Sequence, residues 1–196
     1  MPSKVKLYDK DGNLKTLDEL LVLDKMAGVL VTLGVDLYGI NNGTSFTAEH
    51  NAAGGSGTQA TISFTTPSQK KMIHLLIAMR SNVEAFYTLG EAATMAVAGS
   101  DYAPRNRNRW SKNTSEVVSA GSTGGKGYVT LGGTVSAFGT TLETLHFGTS
   151  KAGGEITELR NWVLAPKTTY AVEVESEAAL SEITIEIHYH EHLTGM

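Results

Sequence analysis

The sequence predicts an all-β fold, a jelly-roll-like β-sandwich preceded by an N-terminal arm. Three observations lead there. Glycine is abundant (21 of 196 residues, many of them paired) while proline occurs only 4 times, a usage suited to many strands joined by tight turns. Residues 60–65, 169–175 and 182–190 alternate apolar and polar side chains, which is the period of a strand with one buried face. Less regular apolar runs bring the expected total to roughly eight to ten strands, enough for two packed sheets.

Composition narrows the class further. Hydrophobic residues make up 41% and charged residues 18%, so the chain is neither disordered nor membrane-embedded, and its length suffices for one well-buried domain. The longest apolar runs, such as 26–33, fall far short of the ~20 residues of a membrane-spanning helix. No apolar stretch follows Met1-Pro2-Ser3-Lys4, so no signal peptide is expected. With no cysteine, disulfides and thiolate-bound metals are excluded, and folding in a reducing cytoplasm is expected. A net charge of −4 argues against bulk nucleic-acid binding.

The elements follow in chain order. Residues 5–8 and 14–16 flank the turn segment Asp9-Lys10-Asp11-Gly12-Asn13 and predict a small hairpin. Thr16, with Glu19 three residues on, caps a short helix over 16–23. Residues 1–27 are therefore read as an arm and 28–196 as the sandwich, with 1–25 expected to grip a shell or a neighbouring subunit. A buried strand is expected at 28–33 and a loop, punctuated by Asn41-Asn42-Gly43 and Gly54-Gly55, over 38–57. Residues 60–65 form a half-buried strand with Ile62 and Phe64 inward. Strands follow at 70–80 and at 83–89, the latter broken by Gly90, and a small-residue strand or turn at 92–99. Strands at 128–131, 142–147, 156–164, 169–175 and 182–190 complete the set, the last two antiparallel with one wet face.

Within this frame, residues 101–115 stand out. Arg105, Arg107, Arg109 and Lys112 lie in a short span of an acidic chain, bracketed by Tyr102, Pro104 and Trp110. If the run is extended, the three arginines share one side and Asn106 and Asn108 the other. Arginines roughly 7 Å apart repel by about 0.6 kcal/mol per pair in water. A dry setting would require opposing carboxylates, carbonyls or phosphates. The segment is thus a solvated basic loop or a recognition strand that an acceptor-rich partner completes.

Catalytic patterns are not found. Gly121-Ser122-Thr123-Gly124-Gly125-Lys126-Gly127 lacks phosphate-loop spacing and reads as an inter-strand loop. There is no Gly-x-Ser-x-Gly elbow. Glu84, Glu91, Glu143 and Glu173 are placed on the wet faces of strands, where carboxylates ordinarily serve solvation. His188, His190 and His192 would project from one face of a strand, with Glu191 on the other. Imidazoles at i and i+2 suit zinc or nickel, but a frayed, exposed terminal strand is the preferred reading. His50, His74 and His146 are scattered and read as structural. Trp162 and Leu164 alternate inward, which leaves Trp110 as the aromatic for a surface or an interface. No cofactor is expected.

The run Tyr102-x-Pro104-x-Asn106-Arg107-Asn108-Arg109, with Asn113-Thr114 after it, resembles a motif in structural virion proteins of tailed bacteriophages. Gly153-Gly154-Glu155, then Trp162-x-Leu164-x-Pro166-x-Thr168-x-Tyr170, and an alternating final strand over 183–191 extend the similarity across 73–191. Arg105 and Trp110 depart from the pattern. The resemblance implies a non-enzymatic capsid decoration (cement) or head protein with a jelly-roll-type domain. Such a protein is made in the host cytoplasm, assembles as a homotrimer on the major capsid protein and resides on the capsid surface, without nucleic acid or membrane. A tail, baseplate or fibre component, or a glycan-binding sandwich on the virion, is the alternative. An interface role is accordingly expected for Tyr102, Arg105, Asn106, Arg107, Asn108, Arg109 and Trp110.

Overall fold

Strand β17 (Ser181–Leu193) shows how the sequence builds the sandwich. Ile183, Ile185, Ile187 and Tyr189 alternate along it and are fully buried, while Glu182, Thr184, Glu186 and His188 point the other way. The computed structural model describes residues 7–8, 14–15, 39–67, 71–120, 125–148, 154–156 and 161–193. The expected helix over 16–23 and strand over 28–33 lie outside the described residues, as do 121–124 of the glycine-rich loop. The hairpin is present: β1 (Leu7–Tyr8) pairs antiparallel with β2 (Leu14–Lys15).

Two antiparallel sheets form the sandwich. One has six strands in the order β14 (Gly154–Ile156), β5 (Lys71–Ser81), β17, β3 (Ser45–Gly54) and β9 (Arg105–Asn106), with β15 (Trp162–Leu164) also on β5. The other has seven, in the order β13 (Thr140–Phe147), β6 (Ala85–Glu91), β16 (Thr169–Ser176), β4 (Gln59–Thr65), β11 (Val129–Leu131) and β8 (Ser100–Tyr102), with β10 (Val118–Ser119) on β4. A separate ribbon pairs β7 (Thr94–Val97) with β12 (Thr134–Ala137). Take β14 and β15 as one and count the long strands β3, β4, β5, β6, β13, β14/β15, β16 and β17 as one to eight. Their spatial orders are then 1-8-3-6 and 2-7-4-5.

The inner faces share one apolar core. Phe64 of the seven-stranded sheet stacks on Tyr189 of the six-stranded sheet at a centroid distance of 6.1 Å, and Tyr189 stacks on Phe46 at 5.6 Å. Offset aromatic pairs of this kind contribute about 0.5–1.5 kcal/mol beyond area burial.

Several expectations are corrected. Residues 45–54, expected as part of a loop, form β3; alanines, asparagine and glycine disguise a strand that ten successive pairings with β17 hold in place. Gly90 does not break β6 but lies inside it, opposite Ala171 and Thr141, because Phe138 packs where a Cβ would stand. The outer faces of β4 and β16 are wet only at their ends, Gln59, Thr65, Thr169 and Glu175, since Thr61, Ser63, Ala171 and Glu173 between them are buried as well. Glu173 is therefore not a solvated carboxylate, and Glu84 precedes β6 rather than lying on a strand. The strand expected over 156–164 is interrupted at residue 161: β14 and β15 pair separately with β5, and 157–160 lie outside the described residues. Finally, β17 is an interior strand flanked by β5 and β3 rather than an exposed, frayed end.

Candidate interaction surface

The arginine run lies where the chain crosses between sheets. Tyr102 sits on β8 at one edge of the seven-stranded sheet, opposite Val129 and packed against the core. Three residues later β9 pairs Arg105 with Thr47 and Asn106 with Phe46, at the edge of the six-stranded sheet. Extended backbone ends there, and residues 107–110 form a bend and turn. Strict alternation of arginine and asparagine sides is thus overturned beyond Asn106. The cause lies in the asparagines, which favour turns by bonding nearby backbone.

Asn106 Oδ1 accepts from the Asn108 backbone N–H at 2.9 Å, and Asn108 Oδ1 accepts from the Trp110 N–H at 3.0 Å. Their amide groups reach outward from the turn. Asn106 Nδ2 donates to the Gly43 and Asn113 carbonyls, Asn108 Nδ2 to Asn41 O, and Asn113 Nδ2 to Asn42 O. The Arg107 N–H donates to Ser45 O at 2.9 Å. Gly43 makes this docking possible: its φ is +66°, and a Cβ would stand 2.1 Å from Ser111 Oγ. Any other residue would be strained and obstructed.

The loop presents its cations and Trp110 while its amides are occupied at home. Arg105 and Arg109 are exposed and Arg107 half-buried. Among the described residues none of the three guanidiniums has an ion-pair partner. Trp110 is 94% exposed, the most exposed of the large hydrophobic side chains described.

Under the loop lies a polar recess of about 380 Å³, lined by Lys71, Lys112, Glu116 and Glu191 among others. Glu191 points to the core side of β17, opposite the histidines, as the alternation predicts, yet it is only 3% exposed. Its Oε1 accepts from Ser115 Oγ at 2.6 Å and from the Glu116 N–H at 2.7 Å, and Lys71 Nζ lies 3.4 Å from Oε2. Tyr189 donates to Ser115 Oγ at 2.7 Å. Lys71 also meets Glu116 at 3.0 Å; that hydrogen bond, with Lys126 behind it, holds the Glu116 carboxyl below its ordinary range. The role of Glu191 escaped sequence reasoning. Its signal was an acid at the inward register set by Ile183, Ile185, Ile187 and Tyr189.

On the opposite face of β17 the histidines are ordered differently from expectation. His188 Nε2 lies 3.0 Å from Glu186 Oε1. His190 is 2% exposed, beneath the backbone of Gly39. His192 packs against His190, with centroids 6.0 Å apart, and edge-on to His74 at 5.0 Å. Burial, then the neighbouring His74 and His190, lower the His192 pKa. His74 is thus clustered rather than isolated. Among the described residues, His188, His190 and His192 do not bring their nitrogens within a common 4.8 Å.

No known protein family, curated protein or solved structure matches this chain.

Proposed function

We propose that this chain is a non-enzymatic structural protein of a tailed-bacteriophage virion, a decoration protein that assembles as a homotrimer on the major capsid protein and stabilises the head. The observation that carries the reading is Trp110, 94% exposed at the tip of a loop whose asparagines are already bonded to its own backbone. Tryptophan and arginine are the residues most often responsible for binding energy at interfaces. A pre-ordered loop loses little entropy when a partner docks. Arginine's planar fork suits carboxylates and carbonyls of a neighbouring subunit. Strand orders 1-8-3-6 and 2-7-4-5 we read as a jelly roll, an architecture used by capsid and lectin domains alike.

Copy number tests the proposal. Quantitative mass spectrometry of purified particles, with a cryo-electron reconstruction, should find hundreds of copies on the outer shell. A handful confined to the tail would favour the second reading, a tail or fibre component. The same exposed indole suits stacking on a sugar ring, so selective binding on a glycan array would also favour that reading.

A further inference from the structure

We propose that Glu84, His146 and Glu177 form a binding site for a divalent transition-metal ion of the zinc type, on the outer side of the seven-stranded sheet. One ligand atom from each of the three lies within 4.8 Å of the others. They come from separate elements: Glu84 from the turn before β6, His146 from β13, and Glu177 from the residue after β16.

Strand pairing brings them together. His146 is opposite Phe86 on β6, and Phe86 is opposite Glu175 on β16. Glu84 and Glu177 stand two residues from Phe86 and Glu175, so the period of the strand points all of them to one face. The Glu177 N–H donates to Glu84 O at 2.9 Å, which joins the two acidic positions through their backbones. Phe86 packs edge-on against the His146 imidazole, with centroids 4.6 Å apart, and fixes the ring beside a recess of about 340 Å³.

Charge and chemistry then select the occupant. Two carboxylates converge on one imidazole, and Glu175 lines the same recess. Among the described residues, neither a lysine nor an arginine pairs with Glu84, Glu175 or Glu177. His146 Nδ1 stands 3.7 Å from Glu177 Oε1, close to the ~3.3 Å between tetrahedral ligands bound at about 2.0–2.1 Å. An imidazole among the donors favours zinc, cobalt or nickel over calcium and magnesium, which prefer oxygen alone. With three protein ligands the remaining position is left to water. The ion would tie the edge strand β13 to β6 and to the turn after β16. This inference is independent of the role assigned to the arginine loop.

Calorimetric titration of the full chain with zinc chloride, with thermal melts at rising zinc, tests the site. One ion should bind per chain and raise the melting temperature, because ligand bound only to the folded state stabilises it. His146→Ala and Glu177→Gln should each weaken binding by roughly tenfold or more while melting like the parent without metal. His192→Ala should leave zinc affinity unchanged. Absence of heat and of any melting shift up to millimolar zinc would overturn the site. So would affinity that survives His146→Ala, or that is lost in His192→Ala.

Discussion

Ser115 Oγ donates to Glu191 Oε1 at 2.6 Å, inside the sandwich and between the exit of the arginine loop and the central strand of the six-stranded sheet. This bond anchors the far end of the loop, as the asparagine contacts to 41–43 anchor the near end. The surface that carries Trp110 is therefore fastened at both ends to β17 and β3 neighbours rather than held by its own turn alone.

Ser115→Ala should destabilise the fold by about 1–3 kcal/mol, because it strips a donor from a buried carboxylate and leaves the Tyr189 hydroxyl without its acceptor. Tyr189→Phe should cost about 1 kcal/mol, since only the last link is lost. The double variant should cost less than the sum of the two, because both changes break the same bond. Urea unfolding of the four proteins measures the coupling; strict additivity would show that the chain of bonds does not act as a unit.

Two glutamates should give opposite pH signatures. Burial, reinforced by Glu175, raises the Glu173 pKa despite the hydrogen bond from Thr61. A carboxyl whose folded pKa is raised opposes folding once pH climbs above its unfolded value. Glu173→Gln should thus melt higher than the parent at pH 7, and the gap should close as pH falls through the ordinary glutamate range. Glu116 is lowered by Lys71 and Lys126, so its contribution is present above its unfolded pKa and lost on acidification. Glu116→Gln should melt lower than the parent at pH 7 and converge with it in acid. Thermal melts between pH 3 and pH 8 would expose a wrong sign for either residue.

Gly43→Ala should disorder the arginine loop more than it harms the sandwich. The left-handed backbone costs alanine about 1 kcal/mol, and the Cβ collides with Ser111 Oγ. Amide hydrogen exchange should speed up at Asn108 and Trp110, whose N–H groups bond within the loop. Core amides of β5 and β17 should keep their protection. Unchanged exchange in the loop would mean that Gly43 is not what seats it.

How much of this was legible in the sequence depended on the pattern each part leaves. Period-2 alternation revealed β17 because its inward residues are isoleucine and tyrosine, whereas β5, an apolar run whose period suits helix and strand alike, was placed as a strand by the turns on either side of it. β3 was hidden because its inward Ala48 and Ala52 carry too little apolar bulk to mark a period, and its order comes from pairing with β17. The burial of Glu173 was equally silent, since a strand covered on both faces alternates like one covered on a single face. At the candidate surface, composition found the cations and Trp110, but not the turn beginning at Arg107. Asn106 and Asn108 form that turn through bonds to backbone two residues on, but its seat is set by their bonds to residues more than sixty positions away. The convergence of His146 with Glu84 and Glu177 was unreadable for the same reason, since strand register alone unites them.

The most direct test of the interface account is the mass of the parent and of the Arg107→Ala/Arg109→Ala/Trp110→Ala variant, by light scattering at low micromolar concentration. The account predicts an oligomeric parent and a variant shifted to monomer with an unchanged melting temperature. Equal masses for the two proteins, whether both oligomeric or both monomeric, would contradict it.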